Sequence, residues 1–223
     1  MTLTLISATP SPFARKVRIA MIEKGVPFVV QNEVPWHADS ITARYNPLEQ
    51  LPILIPDEGD PVFESTYLME WLEYKYPEPS MLPADRDLAM TARLVHVIAE
   101  GVVDAMLLLF WEMQREVVSA EWAKRQLRKV TGGLADLERR ASDRDYLVGD
   151  RFGIADIGVI AMLGALDTMA EAQMIPAWQK FDSKIQPWTA LYPNLVRFEA
   201  RHRDRPSVSA TSPRMFDLVE KIV

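Results

Sequence analysis

The residues with the chemistry to hold and activate a ligand fall in three short stretches of the first third of the chain. In Thr9-Pro10-Ser11-Pro12-Phe13 a serine stands where a helix N-cap belongs, with a proline at the first helical position. Backbone N–H groups and the positive end of the helix dipole converge there, and both favour an anion. A hydroxyl donor at this point can hold a bound thiolate and lower its pKa. The same residues also make a plain cap worth about 1 kcal/mol to the helix. Taken alone, the stretch leaves both readings open.

The second stretch is Asn46-Pro47-Leu48-Glu49-Gln50-Leu51-Pro52-Ile53-Leu54. A proline opening a buried strand cannot donate to the ladder, so Pro52 belongs at an edge or at a cis bond that turns the chain. A turn there leaves the N–H and C=O of Leu51 outward, ready to pair with an extended peptide. The alternative is a trans edge proline with no such role. In the third stretch, Phe63-Glu64-Ser65-Thr66, Ser65 is expected to cap a helix, and its hydroxyl and N–H suit a ligand carboxylate. Glu64 beside it suits an ammonium group. The plain alternative is a cap with an exposed acid.

These stretches need a frame. Leu3, Leu5 and Ser7 alternate with Thr4 and Ile6 and predict a first strand. Phe13, Val17, Ala20 and Met21 share one face of a predicted helix from Pro12 to Lys24, stopped by Gly25. Phe28-Val29-Val30 predicts a second strand, and the span from Trp36 to Pro47 reads as irregular or weakly helical. Ile53-Leu54-Ile55 and Val62-Phe63 predict a hairpin, followed by a helix through Tyr67, Leu68, Trp71 and Leu72. The order is β-α-β-(α)-β-β-α, one compact α/β layer structure. Pro77, Pro79 and Pro83 mark a linker, beyond which the period is helical. Candidate helices are Asp87–Val118, Ala120–Ala141, Ile154–Ala170, Ala177–Lys184 and Pro193–His202. The expected domains are therefore 1–78, a linker at 79–87, and an all-helical bundle at 88–223.

Composition narrows the function. The 223 residues are 48% apolar and 25% charged, an ordinary globular balance. Lys and Arg number 25 against 31 Asp and Glu, a net charge of -6 that disfavours nucleic acid as a partner. There is no cysteine, which removes disulfides, thiolate metal sites and any mechanism using a protein thiol. His37, His96 and His202 show no metal-ligand spacing, and no phosphate-binding or nucleophile-elbow motif is present. The first residues lack a basic region ahead of an apolar one, and the longest uninterrupted apolar run is only Ala105 to Trp111. The expectation is a cytoplasmic protein with no membrane span.

In this order and on this frame, SPFARKVRIAMIEKG, NPLEQLPIL and FESTYLMEWLEYKYP resemble the cytosolic glutathione transferases, as do DYLVGDRFGIADI and RPSV further on. The resemblance covers essentially the full length. It implies a thioredoxin-like N-terminal domain, an all-helical C-terminal domain, and glutathione as co-substrate without a metal. It also implies a homodimer, a detoxification role, and an apolar electrophile as second substrate. By resemblance Ser11 is the thiol activator, with Thr9 a second hydroxyl close by. Pro52 matches the family's cis-proline, so the backbone of Leu51 would pair with the cysteinyl part of glutathione. Glu64 and Ser65 match the pair holding the γ-glutamyl end, and Gln50 falls near the glycyl end with His37 and Arg44 as helpers. The cluster Met106, Phe110, Trp111 and Met113 at helical spacing reads first as core. By resemblance its helix walls the electrophile site and gives part of a dimer interface, with Trp36 adding to either, and Glu100 or Asp104 would reach a partner subunit's glutathione.

Two departures from the family pattern matter. The helix containing Ala155-Asp156 is usually capped by Ser or Thr, but here the position is Gly153; Asp156 can still bond back to the helix start. Without a cysteine the chain cannot make the mixed disulfides of thiol transferases, which leaves activation of glutathione's own thiol. The rival reading is a binding module that keeps the fold and the groove without turnover.

Overall fold

The computed structural model describes residues 3–37 and 39–215. It divides into two compact units, one running to Met81 and rejoined from Arg205, the other Leu82–Asp204.

The first unit contains β1 (Leu3–Ser7), α1 (Pro12–Glu23), β2 (Phe28–Asn32), α2 (Thr42–Tyr45), β3 (Ile53–Ile55), β4 (Val62–Phe63) and α3 (Ser65–Lys75). The sheet order is β2-β1-β3-β4, with β1 parallel to β2 and the other pairs antiparallel. A central strand must be covered on both faces, and Leu5 and Ile6, which point oppositely, are both buried. The register sets Ile6 opposite Ile53, and Ile53 opposite Phe63. The C-terminal end of β1, the start of β3 and the end of β4 therefore meet at one end of the sheet. The weakly helical span resolves into one short helix, α2, after irregular chain.

Lys24, buried at the end of α1, pairs with Glu73 at 2.7 Å and donates to the carbonyls of Tyr76 and Pro79. That clamp closes the unit. The last described stretch returns to it: Arg205 meets the Glu23 carboxylate through Nε and Nη2 at 2.6 Å each, and α10 (Pro206–Ser209) follows. Arg15 donates to the carbonyl of Val208 at 3.4 Å. The expected helical domain of 88–223 is corrected here, because residues from Arg205 group with α1; residues 216–223 lie outside the described residues.

The second unit holds α4 (Arg86–Glu112), α5 (Ala120–Arg140), α6 (Ile154–Glu171), α7 (Met174–Gln179), α8 (Trp188–Leu191) and α9 (Pro193–His202). Buried apolar residues line α4, α5 and α6, which pack together. Gly158 lets α6 close on α4, since a Cβ there would stand 2.6 Å from Cδ2 of His96. Gly153 opens α6 as foreseen: its N–H donates to Asp156 Oδ2 at 2.9 Å, and Leu147 N–H donates to Oδ1 at 2.8 Å.

Two helix expectations are corrected, and two short helices are added. α4 stops at Glu112 instead of Val118, and the Glu112 carboxylate accepts from Ser119 N–H at 2.6 Å, turning the chain into α5. α7 covers Met174–Gln179, earlier than the expected Ala177–Lys184, because Gln173 turns the chain at φ 58. α8 and α10 were not expected, being too short for a period to register. By length and composition α4 could also cross a bilayer: its most apolar 18-residue window has a mean hydropathy of 1.8 and is 44% buried in the protein. An uninterrupted run understates such a helix, because scattered polar residues barely lower its average.

Candidate functional site

The strand register brings the three stretches of interest to the same end of the sheet, within the first unit. Ser11 adopts φ -70 and ψ 117 and caps α1, its Oγ accepting from Ala14 N–H at 3.2 Å. A serine hydroxyl is also a donor, and its hydrogen has no acceptor among the described residues. Capping and activation therefore use different parts of the same group. No acid stands in the first turn of α1, so nothing there opposes the positive helix end. Thr9 offers its carbonyl to Arg18 Nη2 at 3.4 Å. Burial pulls the Arg18 guanidinium below its ordinary pKa.

The Leu51–Pro52 peptide is cis. Among the described residues the N–H and C=O of Leu51 have no hydrogen-bond partner, which leaves a free main-chain pair ahead of β3. Asn46 holds this loop. It is buried, its Nδ2 donates to the carbonyl of Gln50 at 2.8 Å, and its Oδ1 accepts from Leu48 N–H at 2.9 Å. The sequence reading quoted Asn46 and gave it no role, although an Asn-Pro pair is a turn signal whose side chain bonds the backbone two residues on.

At the start of α3 the cap is Glu64, which corrects the expectation for Ser65. Glu64 sits at φ 70, and its Oε2 accepts from Thr66 N–H at 3.0 Å and Tyr67 N–H at 2.9 Å. Ser65 is the first helical residue, its hydroxyl 3.5 Å from Glu64 Oε1. Residue preference favours Ser over Glu as a cap, and the positive φ that places Glu64 outside the helix does not show in the sequence. A second buried cation also reaches this corner, as Lys16 Nζ lies 3.4 Å from Thr66 Oγ1.

The side chains of the remaining candidates make none of these contacts. Gln50 and Arg44 are exposed, with Trp36 and His37 in the turn before α2. Phe110 and Trp111 lie on α4 in the second unit, their rings edge to face at 5.3 Å, while Met106 is core. Glu100 and Asp104 are on the same helix. No group of three or more His, Asp or Glu that could hold a metal ion occurs among the described residues.

This geometry has close counterparts among known proteins. Residues 5–80 match the family model for the glutathione S-transferase N-terminal domain, and residues 120–201 match that for the C-terminal domain. An uncharacterized GST-like protein of Escherichia coli K12 is 30% identical over 211 residues, covering 94% of this chain and 98% of the relative. A glutathione S-transferase of Methylobacterium radiotolerans, solved in complex with glutathione sulfonate, is 42% identical with a TM-score of 0.89 over the whole of both chains. One from Methylobacillus flagellatus, solved with glutathione bound, is 28% identical with a TM-score of 0.85, covering 96% of this chain and all of that one. With an α/β unit of this topology, a helical unit after it and both family models matched in sequence, the chain belongs to the glutathione S-transferase family.

Proposed function

We propose that the protein is a serine-type glutathione transferase acting on a small apolar electrophile in the cytoplasm. The observation that carries this reading is the strand register, which gathers the Ser11 cap, the free Leu51 main chain and the Glu64–Ser65 turn at one end of the sheet. Glutathione binds extended along Leu51, its γ-glutamyl carboxylate at the Ser65 hydroxyl and N–H and its ammonium group at Glu64. Gln50 takes the glycyl end, with His37 and Arg44 nearby.

Ser11 then donates its spare hydrogen to the sulfur. That bond and the positive end of α1 favour the thiolate, whose proton passes to solvent. The thiolate forms a carbon–sulfur bond with the electrophile, and a leaving group such as halide departs with the bonding electron pair. No protein cysteine competes for the intermediate. The electrophile is held by apolar and aromatic side chains, for which Trp36 is the candidate in this unit.

The working form is a homodimer built on α4. Met90, Leu94, Val97, Leu108 and Trp111 are exposed at alternating spacings of four and three, with Gly101 and Asp104 completing the heptad row. Gly101 has open space where a Cβ would stand, which suits close approach of a second copy. A seam that repeats along one helix is self-complementary under a two-fold axis.

Ser11→Ala tests the enzyme reading. With an activated aryl halide as electrophile, kcat should fall by about a hundredfold or more, the scale of losing one charge-stabilising donor. KM for glutathione should stay within a few-fold, and Thr9→Ala should stay near wild type. An unchanged kcat in Ser11→Ala would return Ser11 to the role of a cap.

A further inference from the structure

Helix α1 carries three cations, Arg15, Lys16 and Arg18, and all are buried. Arg15 is directed to the Val208 carbonyl on α10, and Lys16 to Thr66 on α3. Arg18 differs. Its side chain runs back toward the start of its own helix, as Cα–Cβ bonds tilt, and Nη2 reaches the carbonyl of Thr9 at 3.4 Å. That carbonyl belongs to the loop carrying Ser11, whose N–H is tied in turn to the Ala8 carbonyl at 3.2 Å.

No carboxylate answers the Arg18 charge among the described residues, and its Nε has no acceptor. The acids on its own helix and on α3 are engaged elsewhere, Glu23 with Arg205, Glu73 with Lys24 and Glu70 with a partner other than Arg18, while Glu64 holds the amides opening α3. An arginine stays charged even when buried, so this is a standing positive charge held without a counter-ion. Such an arrangement costs stability unless an anion nearby makes use of it.

We propose that Arg18 is a positioning residue for thiol activation, fixing the Thr9–Ser11 loop through the Thr9 carbonyl and supplying a permanent positive charge beneath the glutathione sulfur. This rests on the glutathione site proposed above. Arg18 touches neither substrate nor the reacting atoms; it acts through Ser11 and through its field. A single charge roughly 10 Å away, through an effective dielectric of about 20, moves a thiol by about one pH unit.

The test reads the pKa of the bound glutathione thiol from thiolate absorbance in wild type, Arg18→Gln, Arg18→Lys and Ser11→Ala. Arg18→Gln keeps a donor for the Thr9 carbonyl and loses the charge, so the thiol pKa should rise by about one unit. In the same variant kcat should fall while KM for glutathione holds. Arg18→Lys keeps the charge and should stay near wild type in pKa. A wild-type pKa in Arg18→Gln overturns the proposal and reduces Arg18 to a structural anchor. Should Arg18→Gln not fold, Arg18→Lys carries the test: a retained low pKa supports the proposal, and a raised one overturns it. If Ser11→Ala raises the pKa and Arg18→Gln does not, only the Arg18 inference falls. If Ser11→Ala leaves it unchanged, or wild type binds no glutathione, the site reading fails and this proposal with it.

Discussion

Ser11 Oγ accepts from the Ala14 amide at 3.2 Å, and that one bond occupies a lone pair while leaving the hydroxyl hydrogen uncommitted. The side chain is thereby fixed in direction by the helix it caps. A hydroxyl so held can donate without first giving up another partner, which is the preorganisation that makes a donor effective toward developing charge. Capping thus supplies the rigidity that activation needs.

Asn46 should show the same economy at the neighbouring loop. Its side chain bonds Gln50 and Leu48, the residues flanking Glu49, which sits at φ 53. Asn46→Ala is expected to lower stability by about 2 kcal/mol, for two part-buried hydrogen bonds lost from a buried side chain. It should raise KM for glutathione several-fold with a smaller change in kcat, since it loosens the Leu51 backbone and leaves Ser11 in place. Denaturant unfolding alongside steady-state kinetics checks both. An unaltered KM would mean that the loop holds its shape without Asn46.

How much of this was legible in the sequence depends on what each residue needs. Leu5 and Val17 announce themselves through period, because burial of one face is written in the spacing of apolar residues. Pro52 and Ser11 draw attention through restricted chemistry, a proline before a strand and a serine before a helix, although the residues alone left cis or trans and cap or activator open. The cap at Glu64 was hidden, because it depends on a positive φ that a glutamate rarely adopts and that no local pattern records. The end of α4 was hidden too: residues 113–118 have nothing against helix, and only the bond from Ser119 N–H to Glu112 shows why the chain turns. Arg18 lies off the apolar face of α1 defined by Phe13, Val17, Ala20 and Met21. Its burial is a matter of tertiary packing that no local pattern records.

The dimer seam gives a further prediction. Leu94 is 51% exposed on α4, so a charge there disturbs no core. Leu94→Glu should shift the protein toward monomer in sedimentation velocity, with far-ultraviolet circular dichroism unchanged. A dimer of undiminished strength would place the interface on another face.

Acid stability offers a fourth. Asp136 on α5 bonds Arg140 Nε and Arg139 Nη2, each at 2.6 Å. The Arg140 bond, helped by Arg139 and opposed by burial, holds the Asp136 carboxyl below its ordinary value. A lowered folded pKa means stability that is present above the unfolded value and lost as pH falls through the folded one. With both partners at the surface, the contribution is about 0.5 kcal/mol. Wild type should therefore exceed Asp136→Asn by that margin at neutral pH, and the gap should close well below pH ~4, where unfolded aspartate protonates. Denaturant unfolding of both proteins across that range checks it; a gap that widens in acid would contradict the assignment.

The most direct measurement is an ultraviolet difference titration of bound glutathione, in wild type and in Ser11→Ala. The chain has no cysteine, so any thiolate absorbance near neutral pH belongs to the ligand, tyrosine ionising higher. A bound thiol pKa well below the free thiol's ~8.5, returning toward it in Ser11→Ala, is the predicted result. Glutathione that binds with an unshifted thiol would contradict activation and leave a glutathione-holding module.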